Sequence, residues 1–191
     1  MEAVIATGII GAYKFWPEHR AKWDIQVDLV SVGLGLLSLL TLSDLFETRA
    51  SFLTRLHVRY EFGYYTGFLV TDPKQVGHHA MTLTLMFMAG PYKQFGSLVL
   101  FIFSLTNPCL DMYRQTKSNT WLVPFGTGFF AFRVVCGGLL TRRLLYDAPE
   151  SMPLNIYYAC SILLSSIWAM QIYWFGKMIK KFTRTLSPRC A

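Results

Sequence analysis

Long apolar runs, separated by short polar stretches, recur along the whole chain. The first extends from Ile25 to Leu45 and is rich in leucine, with Asp28 near its start and Asp44 near its end. A short aromatic run follows from Tyr60 to Asp72, and four more span Val76 to Gly90, Phe95 to Leu110, Thr120 to Leu140 and Leu154 to Gly176. Uncharged runs of this kind predict membrane-spanning helices, because lipid forces each backbone to satisfy its own hydrogen bonds. A full crossing takes about 20 residues, so the second and third runs have to borrow polar flanks, tilt, or thin the bilayer. Pro73, Pro91, Pro108, Pro124, Pro149 and Pro153 fall at or near the ends of runs, where proline is expected. The fold class that follows is all-α, a polytopic membrane bundle of about six transmembrane helices. Residues 1–24 read as an interfacial segment, 25–176 as the bundle and 177–191 as a basic tail.

Composition agrees with this reading. Hydrophobic residues make up 53% and charged residues 15% of the 191, against about 25% charged in soluble domains, and the mean hydropathy is +0.35. The formal net charge of +7 does not describe a nucleic-acid footprint. The basic residues fall between the apolar runs and after the last one, where they face anionic lipid headgroups. Lys14, Arg20, Lys22, Lys74, Arg114, Lys117 and the tail cluster from Lys177 share one face with both termini. Arg49, Arg55, Arg59, Lys93, Arg142 and Arg143 fall on the other. The positive-inside rule puts the termini on a cytosolic or matrix-like side. Met1 to Gly11 lacks the basic region of a secretory signal, and Phe15 to Trp23 mixes aromatic and charged residues as an interfacial stretch does. Cys109, Cys136, Cys160 and Cys190 show no metal spacing. Three of them lie in apolar runs and read as small apolar side chains, and neither a metal centre nor a cofactor is expected.

The candidate chemistry gathers at a few polar positions inside apolar runs. His78 and His79 open the third run. Neighbouring residues on a helix point about 100° apart, so one imidazole can face the bundle interior. Two roles are open to the pair: a general base, or a hydrogen-bonded polar site that bridges helices or binds a lipid headgroup. Asp72 is placed to orient one imidazole, and Asp72-Pro73 also fits a turn. Arg133 is the one basic residue deep inside a run. It suits a lipid or coenzyme A phosphate, or else it snorkels or pairs with Asp111 or Asp44. Ser104-Leu105-Thr106-Asn107-Pro108 marks a kink, with Asp111 and Arg114 paired at i,i+3 beyond it. Lys177, Lys180 and Lys181 follow the last run as headgroup anchors.

Taken in order, these residues resemble the TLC (TRAM-LAG1-CLN8) domain family. The resemblance runs from about Leu34 to Arg184. It rests on the aromatic run ending in Asp72, His78-His79, Ser104 to Pro108, Phe129-Phe130-Ala131-Phe132-Arg133, and the last run entering Lys177 to Lys181. It implies a bundle of helices around a lipid-accessible cavity. It also implies a role for paired histidines in acyl transfer by ceramide synthases, which maps to His78 and His79. The chain departs from the family pattern at Ser104, which takes a glutamate position, and at Thr106, Asn107 and Tyr113. The acidic cluster that follows the histidines in ceramide synthases is absent. That leaves no obvious carboxylate to orient a histidine base.

Two functions follow as expectations. The first is a non-catalytic membrane protein that binds or organises lipids, anionic phospholipids above all, as an accessory subunit among other membrane-protein subunits. The second is an N-acyltransferase of the ceramide synthase type. It would use His78 and His79 as base, Asp72 as orienter and Arg133 on a phosphate, with acyl-CoA as substrate. The expected location is the endoplasmic reticulum or the mitochondrial inner membrane.

Overall fold

The computed structural model describes residues 1–42, 44–71, 75–148 and 150–186 of the chain. The described residues form an all-α bundle. A short α1 (Glu2–Phe15) is followed by a 3-10 turn at Pro17–His19, α2 (Arg20–Leu39), α3 (Phe52–Thr71) and α4 (Val76–Met88). Next come α5 (Lys93–Ser104) and α6 (Asn107–Thr116), then α7 (Leu122–Gly128), which runs through a π-helical stretch at Phe129–Cys136 into α8 (Gly137–Asp147). The long α9 (Leu154–Leu186) ends the described chain. Among the described residues three stretches are long and apolar enough to cross a membrane: Lys93–Thr116, Asn119–Asp147 and Leu154–Thr183.

Each apolar run of the sequence lies on its own helical rod, as expected, but α3 begins eight residues before the run that announced it. Its first turns carry Arg55, His57, Arg59 and Glu61. Those charges hide a helix of 20 residues from a reading based on hydropathy alone. The break expected at Ser104 to Pro108 is present. Helix α5 stops at Ser104 and α6 restarts at Asn107, with Pro108 in its first turn, where its missing N–H goes unnoticed. Lys117 closes α6 in the left-handed region (φ 55°) and donates its N–H to the Tyr113 carbonyl at 2.8 Å.

Packing places one apolar core among α4, α5, α8 and α9, around Leu85, Phe95, Leu144, Cys160, Leu164 and Ile167. A second, aromatic core joins α1 to α3 through Ile9, Tyr13, Tyr64, Tyr65 and Phe68. Residues 2–15, expected at the membrane surface, form a helix laid along α3. Ile5 and Ile9 seat on Gly63 and Gly67, and a methyl group at Gly63 would stand 2.7 Å from the Glu2 carbonyl. Large apolar side chains such as Leu36, Leu40, Phe87, Val123 and Ile162 point outward. Many polar ones, including His57, Glu61, Ser97 and Gln171, are buried. That distribution suits a bundle whose solvent is lipid.

Candidate functional site

A cavity of about 600 Å³ opens between α2, α3, α4, α6, the π-helical stretch and α9, at the end of the bundle where α9 turns basic. His78 and His79 line it from the first turn of α4. Aromatic rings hold both imidazoles. The His79 ring lies 5.5 Å from Tyr65 and 5.7 Å from Phe68, and the His78 ring meets Trp174 edge-on at 5.4 Å. The two imidazoles are 5.5 Å apart. His78 Nδ1 has no hydrogen-bond partner among the described residues.

Arg133 enters the cavity from the π-helical stretch, and its burial has a local cause. A π-helical turn widens the backbone and re-aims its side chains. Trp168 of α9 supports this one by donating its indole N–H to the Val134 carbonyl at 2.8 Å. The guanidinium lies over the Phe129 ring at 5.0 Å and donates through Nη2 to Asn107 Oδ1, while Nε has no partner among the described residues. The expected pairing of Arg133 with Asp111 or Asp44 does not form, and a neutral amide holds it in place of a carboxylate. Asp111 pairs with Arg114 instead, at 3.1 Å, as their spacing predicted.

Carboxyls do reach the cavity, although the acidic cluster of ceramide synthases is absent from α4. They come from other helices: Asp24 and Asp28 from α2 and Asp111 from α6. Asp28 accepts from the Tyr64 hydroxyl at 2.9 Å and interacts with the Asp111 carboxyl. Asp24 accepts from Tyr13. These acids engage tyrosines, an arginine and one another. Of the other residues expected at the site, Arg114, Lys177 and Lys181 line the cavity, Lys180 is exposed and does not, and Asp72 lies outside the described residues. Arg20, Asn107, Tyr64 and Tyr65 also line it without having been singled out. Asp28, an acid one turn inside an apolar run, was the available signal. A larger concavity of about 810 Å³ lies along α1, but its lining is almost wholly apolar. It offers nothing to orient a polar ligand, and the chemistry rests with the smaller one.

Residues 29–180 match the family model of the TLC domain. The chain belongs to the TLC-domain family. The match runs from the second half of α2 through most of α9 and takes in the histidine pair, the kink and Arg133. It makes the protein an integral membrane protein of lipid biology. Helix α1 lies before the TLC domain proper and packs on its α3. No curated protein and no solved structure gives a significant match.

Proposed function

We propose that the protein seats the headgroup of an anionic phospholipid in this cavity and holds it without chemical turnover, as an accessory subunit of a larger membrane complex. The observation that carries this reading is the state of Arg133. It is a buried guanidinium fixed by a neutral amide, with an unused donor, in a cavity that Arg20, Lys177 and Lys181 also line. A buried cation without a carboxylate partner calls for an anion, and a phosphate fits the guanidinium fork. His78 supports binding over catalysis, because a general base needs a partner that fixes its tautomer, and its Nδ1 finds none among the described residues. Its ring has aromatic edges around it.

The test is purification in mild detergent with mass spectrometry of the lipids and proteins retained. The expected result is a tightly held anionic phospholipid and one larger assembly, with the lipid lost in Arg133→Gln. Recovery of a lipid-free monomer would refute it. The ceramide-synthase-like reading draws on a separate observation, that the histidines share their cavity with the Asp28 and Asp111 carboxyls. Substituting His78→Ala and His79→Ala decides between the two. An unchanged lipid profile favours binding, and disappearance of an N-acylated lipid favours acyl transfer.

A further inference from the structure

The cavity carries buried charges of both signs that do not meet. Asp28 of α2 and Asp111 of α6 are buried in its wall, and their carboxyls interact. Asp28 also accepts from the Tyr64 hydroxyl at 2.9 Å, and Asp111 has Arg114 at 3.1 Å. Among the described residues no cation stands in ion-pair contact with Asp28. Arg133 faces the converse problem. It is 7% exposed, a neutral amide holds its Nη2, and its Nε has no partner among the described residues. Asp28 and Asp111 act on its charge from across the cavity without bonding it.

Each side is short of a partner. Two carboxyls in contact need a proton or a cation between them, because like charges at that distance repel. A buried guanidinium needs an anion. A ligand whose phosphate and primary amine are joined by a short carbon link supplies both. The phosphate fits the Arg133 fork. A primary ammonium has only N–H donors, so it can bridge two ionised carboxyls, which only accept. A quaternary ammonium has no N–H to give. The lining cations Arg20, Arg114, Arg133, Lys177 and Lys181 outnumber the acids Asp24, Asp28 and Asp111. A headgroup with a negative group beyond its phosphate therefore matches the cavity better than one with phosphate and amine alone.

We infer that the cavity is a site for the phosphoserine headgroup of phosphatidylserine. The phosphate lies on Arg133, the ammonium between Asp28 and Asp111, and the carboxylate toward Lys177 and Lys181. This rests on the phospholipid reading above and narrows it from any anionic headgroup to one that carries an amine. It also gives the acids a task. In a cavity that reads negative charge alone, buried carboxyls would only repel the ligand.

Matched lipids test the site. The full chain, purified in mild detergent, is equilibrated with mixed micelles that hold equal amounts of phosphatidylserine and phosphatidylglycerol. These two have the same net charge, and the lipid retained is measured by mass spectrometry. Wild type should keep phosphatidylserine over phosphatidylglycerol by about tenfold or more. N-acetylated phosphatidylserine retains the phosphate and carboxylate, loses the ammonium and so gains negative charge. It should bind more weakly than phosphatidylserine, whereas a site for negative charge alone would bind it more tightly. Asp28→Asn keeps the shape and should bring the retention ratio toward one, and Asp111→Asn repeats the test should Asp28→Asn fail to fold. An excess of glycerophosphoserine, the headgroup without acyl chains, should leave the lipid in place. Displacement would give the site to a soluble phosphoserine and overturn the lipid. Equal retention of the two lipids by wild type, or tighter binding of the N-acetylated one, would overturn the amine site and leave the anionic-phospholipid reading standing. Retention of neither lipid would overturn both.

Discussion

Arg133 and Asn107 stand 26 positions apart and meet in the cavity wall, the guanidinium Nη2 donating to the amide Oδ1. The kink that precedes α6 puts Asn107 at the helix start, and the π-helical stretch turns Arg133 toward it. The contact fixes the direction of the guanidinium without a direct ion pair, and Asp28 and Asp111 act on its charge only from across the cavity.

Replacing Arg133 should therefore empty the site without unfolding the bundle. Hydrogen bonds to charged groups contribute about 1.5–3 kcal/mol, so Arg133→Gln should weaken lipid retention by about tenfold or more. Arg133→Lys should recover only part of it, because an ammonium cannot bond Asn107 and present a planar second donor at once. Lipid mass spectrometry of the purified variants is the readout. Equal phospholipid in wild type and Arg133→Gln would remove Arg133 from the site.

Trp168 supports the same stretch from α9, through its bond to the Val134 carbonyl at 2.8 Å. Gly138 lets it approach, since a methyl group there would meet the indole at 2.9 Å. Trp168→Phe keeps most of the packing and removes the donor. Side-chain hydrogen bonds between membrane helices average about 0.6 kcal/mol and reach about 1.7. The expected cost is thus a fall of a few degrees in the midpoint of thermal unfolding in detergent, together with partial loss of bound lipid. A fall in stability with full lipid retention would uncouple the π-helical stretch from the site.

Much of this arrangement was legible along the chain. Apolar runs located the rods, proline located the kink, and His78, His79 and Arg133 stood out as polar residues where lipid tolerates few. Hydropathy could not find the first turns of α3, because Arg55, His57 and Arg59 precede the apolar run that begins at Tyr60, and only the fold brings His57 and Glu61 into the interior at i,i+4. Nor could it tell which rods touch. The carboxyls of Asp28 and Asp111 lie far from the histidines in sequence and share their cavity only because α2, α4 and α6 surround it. Helix periodicity fixes the face of a helix but not its neighbour.

The seat of α1 on α3 gives a paired prediction. A side chain at Gly63 would collide with the Glu2 carbonyl and Ile5, whereas nothing lies within 4 Å of Gly8 or Gly11. Gly63→Leu should cost about 1–3 kcal/mol by overpacking and expose α1 to limited proteolysis. Gly8→Ala and Gly11→Ala should hold or raise stability, since alanine favours a helix over glycine by up to about 1 kcal/mol. If Gly63→Leu melts and resists protease as the wild type does, α1 does not sit on this groove.

His57 and Glu61, buried one turn apart on α3, should reveal themselves by non-additivity in stability. Glu61→Leu strips Ser31 and Ser104 of their shared acceptor and removes the carboxyl that stands 3.4 Å from His57 Nε2. Breaking one side of a buried pair typically costs about 3–5 kcal/mol. His57→Phe leaves Glu61 with its two serine donors, and Ser97 keeps Ser38, so the smaller loss is expected there. The double variant removes both ionisable groups together, and apolar pairs of similar volume often match or exceed the ion pair they replace. The double variant should therefore melt above Glu61→Leu alone, and the cycle should give a coupling of at least about 0.5 kcal/mol. Additive losses in thermal unfolding would mean that the two residues stabilise the bundle separately, Glu61 through its serines and His57 through Ser97.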